Sequence, residues 1–273
     1  MNDEQAMLWN GASGRAWVEA QPILDRMFEP FTEVLTKACT PGSSVLDVGC
    51  GTGGTTLAVA RQLGTHGRSV GIDISQPMIA AARSRAERQR PSATFICGDA
   101  QVHGLAPAAF DVIVSRFGVM FFAAPESAFA NLRRAARNGA RLRFLAWRDP
   151  AENPFMTAAE RAAAPFLPNI PPRVPDAPGQ FALADPARTR SILQASGWND
   201  IEIQPLDVEC ALPRTDLDRY FTQLGPLGRV LQDTDESTRA RIIDRVRAAF
   251  DLYVVGAEAR FTAACWLADA RAP

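Results

Sequence analysis

The stretch Val45 to Gly54, VLDVGCGTGG, limits what this chain can fold into more than any other. A buried-strand run (Val45, Leu46, Val48) meets Gly49, Gly51, Gly53 and Gly54 at once, and a helical segment follows from Thr55. The order is strand, tight turn, helix. Glycines suit such a turn because the chain reverses through angles other residues resist, and because a ligand must lie directly on the backbone. Gly49-x-Gly51-x-x-Gly54 satisfies the dinucleotide fingerprint, with Asp73 ending the next strand as the ribose-binding acid. An NAD-dependent oxidoreductase is therefore one reading. Asp47 and Asp99 count against it. An acid two residues before the first glycine repels a pyrophosphate but holds an ammonium group. The acid of Gly98-Asp99-Ala100, closing a third strand, suits an adenine amino group. Acid, glycine turn, acid, acid describes a site for a cationic nucleoside.

Around that turn the pattern alternates. Strands are expected at 44–48, 69–73, 93–97, 110–115 and 141–147. Helices are expected at 55–63, at 76–88 with Ser75 as N-cap and Pro77 in the first turn, and at 125–137 before an Asn138-Gly139 stop. Short apolar strands alternating with helices imply a parallel sheet covered on both faces, with ligands outside the carboxyl ends of the strands. Asp47, Asp73, Asp99 and Ser115 all fall at such ends.

Before the alternation, WNGASGRAW (Trp9 to Trp17) carries two glycines that make a poor helix and reads as an arm, and 21–38 reads as one amphipathic helix. After it, 149–180 is rich in proline (Pro150, Pro154, Pro165, Pro168, Pro171, Pro172, Pro175, Pro178) and reads as a lid, with helical periodicity kept over 158–166 and Ile170 among its apolar docking residues. A helix at 185–196, a strand at 201–212, a helical insertion at 216–250 split near Gly225 to Gly228, and a closing strand at 260–267 complete the pattern.

VLDVGCGTGG, GID (Gly71 to Asp73), GDA (Gly98 to Ala100) and FDVIVSRFG (Phe110 to Gly118) resemble the successive motifs of class I S-adenosylmethionine-dependent methyltransferases. The look is similar to the small-molecule branch that includes the ubiquinone and menaquinone C-methyltransferases, over about 43–147. The resemblance implies an α/β fold: a doubly wound, seven-stranded, mostly parallel sheet with its last strand antiparallel, helices on both faces and a helical cap. It divides the chain into an arm and helix over the cofactor site (1–40), a Rossmann-like core (41–148), a lid (149–182) and the rest of the sheet (183–273) with a cap insertion at about 213–257.

The same resemblance implies S-adenosylmethionine as cofactor and S-adenosylhomocysteine as product. Asp47 is expected near the methionine amino group, and Gly49, Cys50, Gly51 and Gly53 along the methionine and ribose. Asp73 is expected on the ribose hydroxyls, Ile74 and Met78 beside the adenine, and Asp99 with Ala100 at the adenine edge. Ser115 and Arg116 end the fourth strand under the reacting methyl, with Arg116 facing a carboxylate of cofactor or acceptor. Trp9 and Trp17 offer aromatic faces to a sulfonium, and Arg15 a partner for the methionine carboxylate. His103 and Arg116 are the candidates for a catalytic role, which stays unassigned because alignment rather than a base dominates methyl transfer from a sulfonium.

Composition narrows the partners. A net charge of -1 gives no global attraction to nucleic acid. Five widely spaced cysteines without a Cys-x-x-Cys fit a reduced, cytoplasmic setting better than disulfides or zinc. No apolar run approaches the roughly 20 residues of a membrane helix. The expected partner is a small, hydrophobic or aromatic methyl acceptor, with no metal and no nucleic acid. The remaining alternative is a cofactor-binding protein of the same fold without turnover.

Overall fold

The computed structural model describes residues 3–89, 92–167, 174, 176–231 and 234–273. Four helices lead: α1 (Asp3–Asn10), α2 (Ala12–Glu19), α3 (Gln21–Met27) and α4 (Glu29–Thr36). The alternating region follows as β1 (Ser44–Val48), α5 (Gly54–Leu63), β2 (Arg68–Asp73), α6 (Gln76–Gln89), β3 (Ala93–Cys97), β4 (Phe110–Arg116), α7 (Pro125–Ala135) and β5 (Ala136–Trp147). Then come α8 (Pro154–Ala163), α9 (Pro186–Ala195), β6 (Asn199–Pro213), α10 (Leu217–Gln223), α11 (Gly225–Val230), α12 (Glu236–Phe250), the two-residue β7 (Val254–Val255) and β8 (Glu258–Arg271).

The sheet runs β3-β2-β1-β4-β5-β8-β6, with β7 added on β8. Strands β1 to β5 are mutually parallel, and β8 is antiparallel to both β5 and β6. The mostly parallel, doubly wound sheet with an antiparallel last strand is as expected. Val45, Leu46, Ile72, Ile113, Val114, Leu142 and Phe144 are all buried, as a sheet covered on both faces requires. Strand order reverses between β1 and β4, the position where such sheets bind ligands.

Backbones cross closely at that switch point. Gly49 has φ +67, and a Cβ there would sit 2.5 Å from Gly118 Cα; a Cβ on Gly118 would sit 2.5 Å from the Val48 carbonyl oxygen. Ser115 fastens the crossing: its hydroxyl donates to the Val48 carbonyl (2.8 Å) and accepts from the Gly118 and Val119 amides (3.1 and 3.2 Å).

Three local expectations are corrected. The segment 21–38 is two helices, because Pro30 stands in the first turn of α4 and the chain bends at Phe28, while Ile23, Leu24, Met27, Phe31 and Leu35 still bury one continuous stripe. The arm is helical despite its glycines. A Cβ on Gly14 would lie 1.9 Å from the Trp9 carbonyl oxygen and 2.9 Å from Ser75 Oγ, so glycine there allows close packing of the arm on itself and on the start of α6. Asn138-Gly139 does not stop α7, which ends at Ala135; it lies inside β5, where the Gly139 amide bonds the Ala272 carbonyl (2.8 Å).

Residues 168–173 and 175 of the proline-rich stretch, with Ile170 and four of its prolines, lie outside the described residues. Beside that stretch, α8 packs against α11 and α12, and Phe155 stacks on Phe261 at 3.6 Å. The arm reaches the insertion through α2 against α11. No helix among the described residues is long and apolar enough to cross a membrane.

Gly118→Ala forces backbone apart at the crossing and should cost about 1–3 kcal/mol in urea unfolding. Gly104→Ala, with open space around it, should leave stability unchanged or slightly higher; equal losses would contradict the crossing constraint.

Candidate functional site

A cavity of about 360 Å³ opens at the carboxyl ends of the parallel strands. Its floor is the turn after β1 (Gly49, Cys50, Gly51, Thr52), and its sides come from the tips of β2, β3 and β4. Of the expected residues, Gly49, Cys50, Gly51, Asp73, Ile74, Met78, Asp99, Ala100, Arg116, Trp9 and Trp17 stand in its wall. Asp47, Gly53, Ser115, Arg15 and His103 do not.

Asp73 is the best-held acid. Its Oδ2 accepts the Gly51 amide and its Oδ1 the Ser75 amide, both at 2.8 Å. Burial pushes its carboxyl above the usual range, and these two amide bonds pull it back. Each oxygen keeps a further lone pair able to accept a hydrogen bond. Asp99 is anchored similarly, with Oδ1 accepting the Gln101 amide at 2.9 Å.

Asp47 lies behind the turn, not in it. It is 1 % exposed; Oδ2 accepts the Thr56 hydroxyl at 2.6 Å, and Oδ1 is buried without a partner. Burial raises its pKa to about 6, against the opposing Thr56 bond. The carboxylate braces β1 against α5 and does not line the cavity. Cys50 is also buried, and burial, with Asp73 and Asp47 nearby, pushes its thiol up and leaves it unreactive.

The other expected residues outside the wall are placed by packing. Gly53 turns into α5 with φ +84 and faces Phe95 and Ala82. Ser115 is consumed by the backbone crossing. Arg15 is exposed on the outside of α2. The His103 ring lies against Gly98, where a Cβ would be 2.9 Å from Nδ1, and serves the loop rather than the cavity.

Trp9 is positioned by hydrogen bonds to the β2–α6 junction. Ser75 Oγ donates to the Trp9 carbonyl (2.6 Å), Asn10 Nδ2 to the Ile74 carbonyl (3.1 Å), and the Gln76 amide to Asn10 Oδ1 (2.8 Å). The ring then packs edge-on to Trp17 (5.7 Å) and Phe121 (5.2 Å). Arg116 donates Nη1 to the Thr32 hydroxyl (2.8 Å) and lies over the Phe28 ring at 5.3 Å. Burial presses its guanidinium pKa down, while Asp25 and Asp47 raise it.

Beyond the turn the cavity becomes aromatic. Phe117 stacks on Trp147 at 4.3 Å, and Phe155, Tyr220, Phe221 and Phe250 continue the wall. Sequence reasoning missed Asp25, Tyr220, Phe221 and Phe250. Asp25 sits on the polar side of an amphipathic helix, where an acid normally meets solvent, and the other three lie 102 to 132 residues beyond Gly118, where the last motif ends.

Residues 45–139 match the family described as a methyltransferase domain. Aklanonic acid methyltransferase DauC of Streptomyces sp. (strain C5) is 29 % identical over 171 residues, covering 60 % of this chain and 73 % of that protein. Nocamycin O-methyltransferase of Saccharothrix syringae is 27 % identical over 182 residues, covering 63 % and 65 %. The chain thus carries a methyltransferase domain of the S-adenosylmethionine-dependent kind. The ubiquinone/menaquinone biosynthesis C-methyltransferase UbiE of Burkholderia mallei is 32 % identical over 123 residues, but the match spans only 50 % of that protein and 45 % of this chain. Among solved structures, YcgJ of Bacillus subtilis superimposes with TM-score 0.58 at 17 % identity, over 89 % of this chain and 98 % of that one. The [4+2]-cyclase SpnF gives 0.57 at 18 % identity, over 95 % of each. At these identities the structures establish the methyltransferase's fold alone.

The methyltransferase's Asp47 yields a pH test on the ligand-free protein. A carboxyl raised from 3.8 to about 6 on folding binds more protons folded than unfolded between those values, so its contribution to stability falls as pH rises through that window. Asp47→Asn removes the charge and should gain on the native chain by up to about 3 kcal/mol between pH 4 and pH 7.5 in urea unfolding. A difference constant with pH would contradict a buried, reluctantly ionised Asp47.

Proposed function

We propose that this methyltransferase passes a methyl group to a small hydrophobic or aromatic acceptor lying in the aromatic half of the cavity. The observation that carries the reading is continuity: one cavity runs from the glycine turn, past Phe117 and Trp147, to Phe155, Phe221 and Phe250. Its inner half suits S-adenosylmethionine. Asp73 offers two oxygens with unused lone pairs to a pair of ribose hydroxyls. Ile74 and Met78 flank the place of the adenine, and Asp99 and Ala100 meet its polar edge. Gly49, Cys50 and Gly51 present bare backbone to the chain of the cofactor, and the Trp9 and Trp17 rings offer a cation a favourable wall worth roughly 0.5–2 kcal/mol. Bound S-adenosylmethionine supplies a methyl group on a sulfonium that leaves as a neutral thioether.

The chain's own residues supply alignment and dryness. Alignment of two reactants contributes up to roughly 7–11 kcal/mol in favourable systems, and a wall of Phe and Trp rings keeps water from competing. The outer half also holds Tyr220, whose phenol burial pushes above its ordinary range. At neutral pH that group is a hydrogen-bond donor, not a base, and it suits an acceptor oxygen. An acceptor that is already nucleophilic when it enters fits this wall. The arm, α8 and the α10–α12 insertion act together as the cap over it.

A panel of aromatic and aliphatic oxygen, nitrogen and carbon acceptors, tested with radiolabelled-methyl cofactor, tests the reading. Labelled product is expected from apolar members. Asp73→Ala should weaken S-adenosylhomocysteine binding in calorimetry at least tenfold, the loss of charged hydrogen bonds worth about 1.5–3 kcal/mol each. Tight NAD binding with none of S-adenosylhomocysteine would sink the proposal. Cofactor binding with no labelled product across the panel would favour a protein that keeps the fold without methyl transfer.

A further inference from the structure

The amino-acid end of S-adenosylmethionine carries an ammonium and a carboxylate on one carbon, so its receptor needs an anion and a cation a short distance apart. We propose that Asp25, from α3 and outside every recognised motif, anchors that ammonium, with Arg116 taking the carboxylate beside it. The proposal rests on the reading of the inner cavity as the cofactor site.

Asp25 and Arg116 stand in the wall of that cavity and also in the wall of a second, polar cleft of about 370 Å³ between α3, α4 and α5. They form the partition between the two spaces. Asp25 uses only one of its oxygens: Oδ2 accepts Gln21 Nε2 at 2.5 Å and Arg85 Nη2 at 2.6 Å. Oδ1 points toward Gly54, 2.8 Å from where a Cβ would stand, and no donor among the described residues bonds it. Arg116 is half used in the same way. Nη1 holds Thr32, while Nη2 lies 3.6 Å from the same point above Gly54 and has no acceptor among the described residues.

The free oxygen and the free nitrogen therefore converge on the first residue of α5, on the second-cleft side of that partition. Asp25 and Arg116 sense each other electrostatically but form no ion pair among the described residues. A zwitterion in that gap completes an alternating row: Arg85 positive, Asp25 negative, ammonium, carboxylate, Arg116 positive. Asp47, the acid expected to hold the ammonium, is sealed behind the turn and occupied by Thr56. Arg85 couples the anchor to the turn itself, donating to the Thr52 carbonyl (2.8 Å) and hydroxyl (3.2 Å).

A purely structural Asp25, a strut joining α3 to α6 through Arg85, predicts something different, and two ligands separate the cases. S-adenosylhomocysteine and 5′-methylthioadenosine share the adenosine and the thioether, but only the first has the amino-acid end. In calorimetry, Asp25→Asn should weaken S-adenosylhomocysteine tenfold or more and leave 5′-methylthioadenosine within twofold. Equal losses for both ligands, or none for S-adenosylhomocysteine, would overturn the anchor. Should Asp25→Asn fail to fold, Arg116→Gln gives the second measurement, with the same selective loss expected and the same uniform loss contradicting it. A native chain that binds neither ligand overturns the cofactor reading and the anchor with it.

Discussion

Two backbones approach so closely at Gly49 and Gly118 that no side-chain carbon fits between them, and the site is built around that contact. The crossing draws the end of β4 against the start of the turn after β1, and Ser115 bonds both sides together. Arg116 therefore leaves β4 aimed at α3 and α4, and Phe117 takes a left-handed backbone, φ +66. Such a backbone costs a residue with a Cβ roughly 1–2 kcal/mol. Stacking on Trp147 and burial among Phe28 and Phe31 offset it. One steric constraint thus sets the cation at one end of the cavity and the first ring of the aromatic chamber.

The cavity has two electrostatic halves because its acids are treated differently. Asp73 is buried but receives two amide protons, so it remains a usable acceptor at the wall. Asp47, equally buried, receives one hydroxyl and keeps an unpartnered oxygen, which makes its ionisation costly. Asp25 is less enclosed and shares its charge with Arg85. Beyond Phe117 the wall is mainly aromatic and aliphatic, with Glu160, Gln180 and Gln223 as its polar members. The charged end suits a zwitterion and a ribose; the apolar end suits a ring or chain that water would otherwise solvate.

Much of this was legible in the sequence, for definite reasons. Parallel strands with acids at their tips follow from the spacing of Asp47, Asp73 and Asp99 against short apolar runs, and strand polarity brings Asp73 and Asp99 to one edge. Side-chain direction was not legible. Asp47 lies in β1, where alternation turns it into the layer under α5, and only its register against Gly71 and Val114 reveals that. Gly14 looked like a helix breaker because intrinsic propensity says nothing of a neighbouring helix that needs the space. Asp25 and the rings of α10 and α12 escaped because they reach the cavity through tertiary packing, with no local signature.

The central claim is that a nucleoside lies across the glycine turn with its ribose on the Asp73 carboxylate. A crystal structure of the chain with S-adenosylhomocysteine tests it most directly. The account predicts density from Ile74 and Asp99 over Gly49 to the gap between Asp25 and Arg116, with both ribose hydroxyls on Asp73. Density seated elsewhere, or a ribose turned away from Asp73, would contradict it.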